Sequence, residues 1–464
     1  MSATPRSPGV WGASSWLRFV AFVALVTGSV CCQGVRQAHA GGPSGRKGRG
    51  LATQGPQSLP ADLLHLQVPT PTDPVIASAI APLIDPGGLA LRRFNEAMAN
   101  AKAKRGQVRV AFWGASHTAA DLWSGHVRRL LQARLGDAGH GYVMPVRWHI
   151  GTRHQDLNIS ASKGWKVWRH RLRTPVAVGD YGYNGVAVSS ADPEQWMEIK
   201  TTTTNEMGRR ASVFELWFRR STKAGDVIVE IDGKAHTVPT SGPAGPDERR
   251  WRLPDGPHHL RIRPAGNGEV YLYGGVLERQ TPGAIVDQMG IPGMRGAIQL
   301  RWLESTWRRH VKRRSPDLVV LAYGTNAVGD EHQPLRVFRE RWRDVLSRLR
   351  RAAPKASCVI VGPTDRPARR DRRGHRKLRP HQAKVITAQL QVAREYGCAY
   401  WDAVQAMGGP RSMLRWVKAK LGTRDYVHLT RAGYEWLAER FVIELLKTSG
   451  THHASSSQSS SQPR

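Results

Sequence analysis

A serine placed just after a glycine, at the end of an apolar run, is the first residue of this sequence equipped for chemistry. Val108-Arg-Val-Ala-Phe-Trp-Gly-Ala-Ser-His-Thr118 reads as a short strand that stops at Gly114, turns, and presents Ser116. Leu122, Val127, Leu130, Leu131 and Leu135 then recur near helical spacing. Strand, tight turn and helix together bring a hydroxyl to the carboxyl edge of a sheet. Backbone N–H groups left unpaired at a helix N-terminus lie beside it. That is a position for a nucleophile and for binding an oxyanion. An isolated Gly-x-Ser also fits a plain helix N-cap, so the assignment depends on partners elsewhere in the chain.

A serine nucleophile needs a base, a carboxylate to orient the base, and donors for the developing oxyanion. Asp425-Tyr-Val-His-Leu-Thr430 offers the first two. Across a turn, Asp425 can reach one ring nitrogen of His428 and leave the other free for a serine; a loop ion pair at a helix start is the alternative. Gly293, in Met289-Gly-Ile-Pro-Gly-Met294, follows a strand-like run, where a glycine lets backbone N–H approach a substrate oxygen. Asn326, in Tyr323-Gly-Thr-Asn326, follows another, and its amide can donate to the same oxygen. Either could instead be a turn residue. What raises the joint pattern above its parts is order: each block stands where a strand ends.

The elements that must hold these residues alternate. A helical pattern over about 86–104 precedes the run into Ser116. Later, Ala284–Gly290, Asp317–Tyr323, Ser357–Gly362 and Cys398–Trp401 read as strands, each followed by a helical stretch. Those helices are expected around Ala297–Arg309, Val337–Arg351 and Gln382–Glu395, and finally from a Thr430 cap to about Leu446. Strands alternating with helices imply an α/β fold with a doubly wound parallel sheet. Active sites of such sheets lie at the strands' carboxyl edge. The stretch 151–280 differs. Val227, Val229 and Ile231 alternate, Asp232-Gly233 offers a type I′ hairpin turn, and Leu260–Ile262 and Val270–Leu272 alternate again. It reads as an inserted β-sandwich. Its Trp165, Trp168, Trp217, Trp251, Tyr271 and Tyr273 suit a core better than a sugar-stacking platform.

The chain has 464 residues, and 69 Lys and Arg against 36 Asp and Glu give a formal net charge of +33. Such a charge favours anionic partners. No zinc-finger spacing, RNA-recognition signature or basic heptad helix accompanies it, so no nucleic acid is expected. Arg18, the apolar run from Phe19 to about Val30 and Ala38-His39-Ala40 fit a secretory signal over 1–40, cut after Ala40. The run is shorter than the ~20 residues a membrane span needs, and no later segment is a candidate. Residues 41–85 are read as linker, 86–150 and 281–448 as the two parts of the α/β domain, and 449–464 as a disordered Ser/Gln-rich tail. Cys358 and Cys398 remain after the signal, either paired or free. No His-Glu-x-x-His spacing occurs and His258-His259 is weak, so neither metal nor cofactor is expected.

Together, Gly114-Ala-Ser-His-Thr with Asp121, Gly139-His-Gly-Tyr-Val143, Tyr323-Gly-Thr-Asn326, Trp401-Asp402 with Met407-Gly-Gly409, and Asp425-Tyr-Val-His428 resemble the SGNH (GDSL-like) hydrolase superfamily. The wording is similar to its bacterial peptidoglycan O-acetylesterase branch, which also carries a carbohydrate-binding-like β-domain after the serine block. The resemblance covers about 86–446. It implies a three-layer, flavodoxin-like fold, Ser116 as nucleophile, His428 as base, Asp425 as its orienter, and an oxyanion hole of Ser116 N–H, Gly293 N–H and the Asn326 side chain. Ala115 and Ala327 depart from the usual polar residues. His117, Arg366 and Arg369 are expected to touch substrate, the last two within the basic segment Arg366–Arg379, which could steer an anionic glycan or be a solvated loop. The expectation is an exported serine esterase of the periplasm or cell envelope that removes small acyl groups, acetyl first, from an anionic cell-wall polysaccharide. An O-acetyltransferase or a non-catalytic glycan-binding scaffold are the alternatives; the oligomeric state stays open.

Overall fold

Alternation along the apolar runs sets the central layer. In the computed structural model, which describes residues 68–170, 179–203 and 206–456, five strands pair in the order Gly283–Gly290, Gln107–Gly114, Leu318–Ala322, Ser357–Val361, Ala399–Trp401. Every pairing is parallel. Val108, Val110 and Phe112 enter one apolar layer, and Ala111 and Trp113 the other, as the two-residue period of a strand requires. Leu318 and Val320 divide from Val319 and Leu321 in the same way. Both faces are therefore apolar, and helices cover both. Arg92–Lys102, Trp123–Leu135 and the helix from Arg431 pack on one side; Glu304–Arg314, Leu335–Ala352 and Pro380–Glu395 pack on the other. This is the doubly wound parallel sheet expected from the sequence. Strand order reverses at Gln107–Gly114, and such a switch point opens a crevice beyond the strands' carboxyl ends.

Between the first two parallel strands the chain builds two antiparallel sheets. One contains Gly245–Gly256, Ala211–Arg220, Val270–Glu278, Val186–Ser190 and Lys166–Arg169; the other contains Leu157–Ala161, Met197–Thr201, His259–Pro264, Asp226–Ile231 and Lys234–Pro239. Asp232 and Gly233, with φ of 51° and 85°, form the expected hairpin turn. Phe214, Leu216, Phe218 and Leu272 meet Ile199, Val227, Val229, Leu260 and Ile262 in the sandwich core. The opposite face of the first sheet is not solvated. Trp217 and Tyr273 are fully buried there, and Trp217 stacks on His310 of the helix Glu304–Arg314 at 4.7 Å. Trp165 is core as well, whereas Trp168, Trp251 and Tyr271 are half-buried.

Some boundaries differ from the sequence expectation. The part of the 41–85 linker that is described packs on the α/β core. Asp73 caps the short helix Pro74–Ala77, Ile76 is buried, and Ile84 bridges Tyr400 at the sheet edge. Gly139–Val143 pairs with Val270–Glu278, so it belongs to the insert's sheet. The helix expected over Ala297–Arg309 is broken into a 3₁₀ segment, Gly296–Arg301, and the helix Glu304–Arg314. At the break the buried Trp302 ring packs on Gly185, where a side chain would collide with it. The last helix continues past Leu446 to Ser456: once its packed part is fixed, each further residue adds a hydrogen bond without a new nucleus. Cys358 and Cys398 form a disulfide. The Val359↔Ala399 register sets them side by side, with Cα atoms 4.7 Å apart. The signal segment 1–40 lies outside the described residues. Among those described, no helix is long and apolar enough to cross a membrane.

Candidate active site

Glycine makes the turn that carries Ser116. A Cβ on Gly114 would stand 2.0 Å from Thr118 Oγ1, and one on Gly290, at the end of the neighbouring strand, 2.2 Å from the Ala119 N. Without side chains at either place, the one-turn helix Ser116–Ala119 sits directly on the strand ends. Ser116 occupies its first position, where the backbone N–H has no intrahelical acceptor. Asp121, in left-handed conformation at φ 54°, ends the turn. Its buried carboxylate accepts from Ser124 Oγ at 2.8 Å, the Gln155 amide at 3.0 Å and Arg128 at 2.8 Å. Burial alone would raise Asp121; the Arg128 guanidinium outweighs it and holds the carboxyl below its usual range. Arg128 also binds Asp156, so a buried ionic cluster fixes the helix behind the serine.

The loop from Thr423 to Thr430 delivers the other partners. His428 Nε2 lies 2.8 Å from Ser116 Oγ, and His428 Nδ1 lies 2.6 Å from Asp425 Oδ2. A carboxylate only accepts, so Nδ1 carries the ring proton and Nε2 presents a lone pair to the serine hydroxyl. The second Asp425 oxygen accepts from Thr423 Oγ1 at 2.5 Å and from the amides of Val427 and His428 at 2.9 and 3.0 Å. Burial pushes this carboxyl up, but the bonds from His428, Thr423 and the two amides prevail and hold it well below the ordinary carboxylate range. Tyr426 takes the left-handed φ of 60° that this tight loop requires. Thr430 Oγ1 caps the final helix by accepting from the Gly433 amide at 3.3 Å.

Gly293 adopts φ 80°, and nothing lies within 4 Å of where its side chain would be. Its carbonyl accepts from Arg295 Nη1 at 2.8 Å. Asn326 Nδ2 donates to the Met294 carbonyl at 3.0 Å, which uses one of its two N–H bonds and orients the other. The two expected oxyanion donors beyond Ser116 are thus tied to one another through Met294. Ala327 is buried, so a polar residue there would face the core and not the crevice.

The expected substrate contacts fare differently. His117 is buried, with Nδ1 2.8 Å from Tyr434 Oη and Nε2 3.3 Å from Thr364 Oγ1. Burial, with His428 and Arg366 nearby, lowers it to about 3 against the pull of Asp425. It packs beneath His428, ring centroids 5.4 Å apart, with both ring nitrogens facing partners within the protein. Arg366 is half-buried and donates from Nη1 to the carbonyls of Thr325 at 2.8 Å and Asn326 at 3.3 Å. It braces the Asn326 block. Arg369 is exposed. From the same basic segment, Arg376 lies over the Tyr426 ring at 3.9 Å, so the segment is anchored to the His428 loop. Tyr434, Thr364, Thr423 and Arg376 escaped the sequence reading. Only Thr423, two residues before Asp425, carries a local signal, that of a hydroxyl closing an Asx-type turn.

Among the described residues no three His, Cys, Asp or Glu side chains are grouped to hold a metal ion.

The GDSL-like lipase/acylhydrolase family model matches residues 232–436, a segment that includes Gly293, Asn326, Asp425 and His428 and begins after Ser116. No curated protein matches the chain in sequence. Among solved structures, one described as a peptidoglycan O-acetylesterase is 22% identical, with a TM-score of 0.67 over 80% of this chain and 99% of that one. A family two carbohydrate esterase from Cellvibrio japonicus is 10% identical, covering 63% and 98% with a TM-score of 0.26. One from Clostridium thermocellum, in complex with cellohexaose, is 13% identical, covering 57% and 95% with a TM-score of 0.28. The α/β layer with its inserted β-sheets therefore shares the fold of that first solved structure, and residues 232–436 match the GDSL-like lipase/acylhydrolase family.

Proposed function

We propose that this protein is an exported esterase that removes O-acetyl groups from an envelope polysaccharide, peptidoglycan being the favoured substrate. The observation that carries the proposal is the unbroken hydrogen-bonded chain from Ser116 Oγ through the His428 ring to Asp425. His428 Nε2 takes the serine proton as Oγ attacks the acetyl carbonyl. The tetrahedral oxyanion receives hydrogen bonds from the backbone N–H groups of Ser116 and Gly293 and from Asn326 Nδ2. Collapse breaks the bond to the sugar oxygen, which leaves with the proton held by His428. Water then gives a proton to His428 and attacks the acyl-enzyme, releasing acetate and restoring the serine. Asp425 stays ionised throughout and stabilises the imidazolium. The carbohydrate substrate class draws on the likeness of fold to a peptidoglycan O-acetylesterase and on a net charge of +33 that suits an anionic polymer. Export draws on the apolar run Phe19–Val30 and Ala38-His39-Ala40.

The test is hydrolysis of a chromogenic acetyl ester and acetate release from O-acetylated peptidoglycan, with Ser116→Ala and His428→Ala alongside. Each variant should keep its fold and lose roughly 10³-fold or more in kcat. Equal rates in all three proteins defeat the proposal. Acetate release without acetyl transfer to added glycan distinguishes hydrolase from transferase.

A further inference from the structure

The segment that supplies Gly293 goes straight on to wall a cavity of about 560 Å³, a size that holds a small ligand. Ile298, Phe338 and Trp342 give it an apolar floor, and Arg301, Arg341 and His170 stand on its wall. Arg295 and Asp330 also line it, but they neutralise each other in a paired contact of 2.7 and 2.5 Å. Arg301 and Arg341 are exposed, and neither has an ion-pair partner among the described residues. His170 Nδ1 is buried without a hydrogen-bond partner. The cavity therefore presents uncompensated positive charge beside an apolar surface. It lies next to the expected oxyanion donors: Met294 lines it, and Met294 is the residue whose carbonyl Asn326 holds.

We propose that this cavity is a subsite for a carboxylate carried by the acetylated glycan. The carboxylate sits between Arg301 and Arg341, and the apolar face of the sugar lies on Phe338 and Trp342. The inference rests on the esterase assignment of Ser116 and specifies its substrate as acidic. In peptidoglycan that carboxylate has two possible sources, the lactyl ether of a peptide-free muramic acid residue or the peptide attached to it.

Binding tests it without turnover. Full-length protein carrying Ser116→Ala is titrated with three disaccharides of N-acetylglucosamine and N-acetylmuramic acid: the free acid, its lactyl methyl ester, and the form bearing the stem peptide. At least one carboxylate-bearing form should bind about tenfold more tightly than the methyl ester, the amount that two partly exposed ion contacts supply together. Whichever form is preferred identifies the source. Arg301→Ala with Arg341→Ala should abolish the preference, and Arg308→Ala, an exposed arginine that does not line the cavity, should keep it. Equal binding of all three disaccharides overturns the subsite, as does a preference that survives loss of both arginines. Failure of the esterase assignment itself appears separately, as absence of wild-type activity on a neutral acetyl ester.

Discussion

Replacing Asp425 by asparagine reverses one hydrogen bond and preserves three. Oδ1 accepts from Thr423 Oγ1 and from the amides of Val427 and His428. Three donors converging on one atom require an oxygen there, so the asparagine must turn its NH₂ toward His428 Nδ1. That nitrogen can meet an N–H only with its lone pair, which drives the ring proton to Nε2, 2.8 Å from Ser116 Oγ. A protonated Nε2 cannot accept the serine's proton, and the imidazolium also loses its counter-charge. In a fully buried triad this exchange removes about 10⁴ in rate. Here the Asp425 and His428 side chains are 50% and 40% exposed, and water can solvate the imidazolium in part. The expected loss is nearer 10³ in kcat, about 4 kcal/mol of barrier. Steady-state hydrolysis of a chromogenic acetyl ester measures it, with the thermal midpoint read in parallel. The midpoint should stay close to wild type because the loop keeps its three anchors. A folded Asp425→Asn variant with kcat within tenfold of wild type would refute the assigned proton geometry.

Stability should fall in mild acid, because burial lowers His117 and His310 from the ordinary 6.5 to about 3. Below pH 6.5 the unfolded chain takes up a proton on each that the native state refuses until about pH 3, so stability is complete above pH 6.5 and lost on descent through that window. The loss is about 1.4 kcal/mol per pH unit per histidine, or about 2 kcal/mol each at pH 5. Urea titrations at pH 7.5 and 5 read it together with the loss from His140 and His154, which burial also lowers, and His310→Phe should remove about 2 kcal/mol of the total; an unchanged loss counts against the burial argument. Arg128 is 1% exposed and bound to Asp121 and Asp156, so Arg128→Met strands the buried Asp121 carboxylate without a cation and leaves Asp156 with Arg129 alone. It should cost about 3–5 kcal/mol in urea unfolding; a cost under 1 kcal/mol would show that the cluster does not hold the serine turn.

What the sequence made legible was local periodicity and strand ends. Val108 to Trp113 announced a strand buried on both faces, and Ser116, Gly293 and Asn326 each followed an apolar run whose end could be seen, whereas the Asp425 loop follows the helix Ser412–Lys418. The surroundings of His117 were not legible because adjacency in sequence says nothing of direction: one residue past Ser116, its side chain turns inward toward Tyr434 and Thr364. Arg366 was expected to touch substrate, and nothing local reveals that the carbonyls of Thr325 and Asn326, about 40 residues upstream, accept from it. The break at Trp302 was hidden for the same reason. A helical pattern runs through it, and the bare surface of Gly185 on which the ring packs belongs to the insert, more than 100 residues upstream. The residues missed are those whose partners belong to another element.

The insert and the active centre share walls, and this bears on where selectivity resides. The insert leaves after Trp123–Leu135 and returns at Gly283, and Gln107↔Gly283 opens the register of the two strands that flank the serine turn. The returning strand then runs from that amino edge to the carboxyl edge, where Gly290 stands beside Gly114 and the serine turn. A second cavity, about 350 Å³, is lined by Tyr142, Trp148, Asn158 and Lys200 of the intervening chain and by Gln288 and Gly290 of the returning strand. Gln288 Nε2 donates to the Thr118 carbonyl at 2.7 Å, within the serine turn itself. One cavity therefore adjoins the chain just before Gly293, and the arginine-rich one adjoins the chain just after it. The hydrogen-bonded trio acts on any ester its serine can reach. In the proposed esterase, discrimination among glycans then falls to walls on either side of Gly293, made from different segments of the chain.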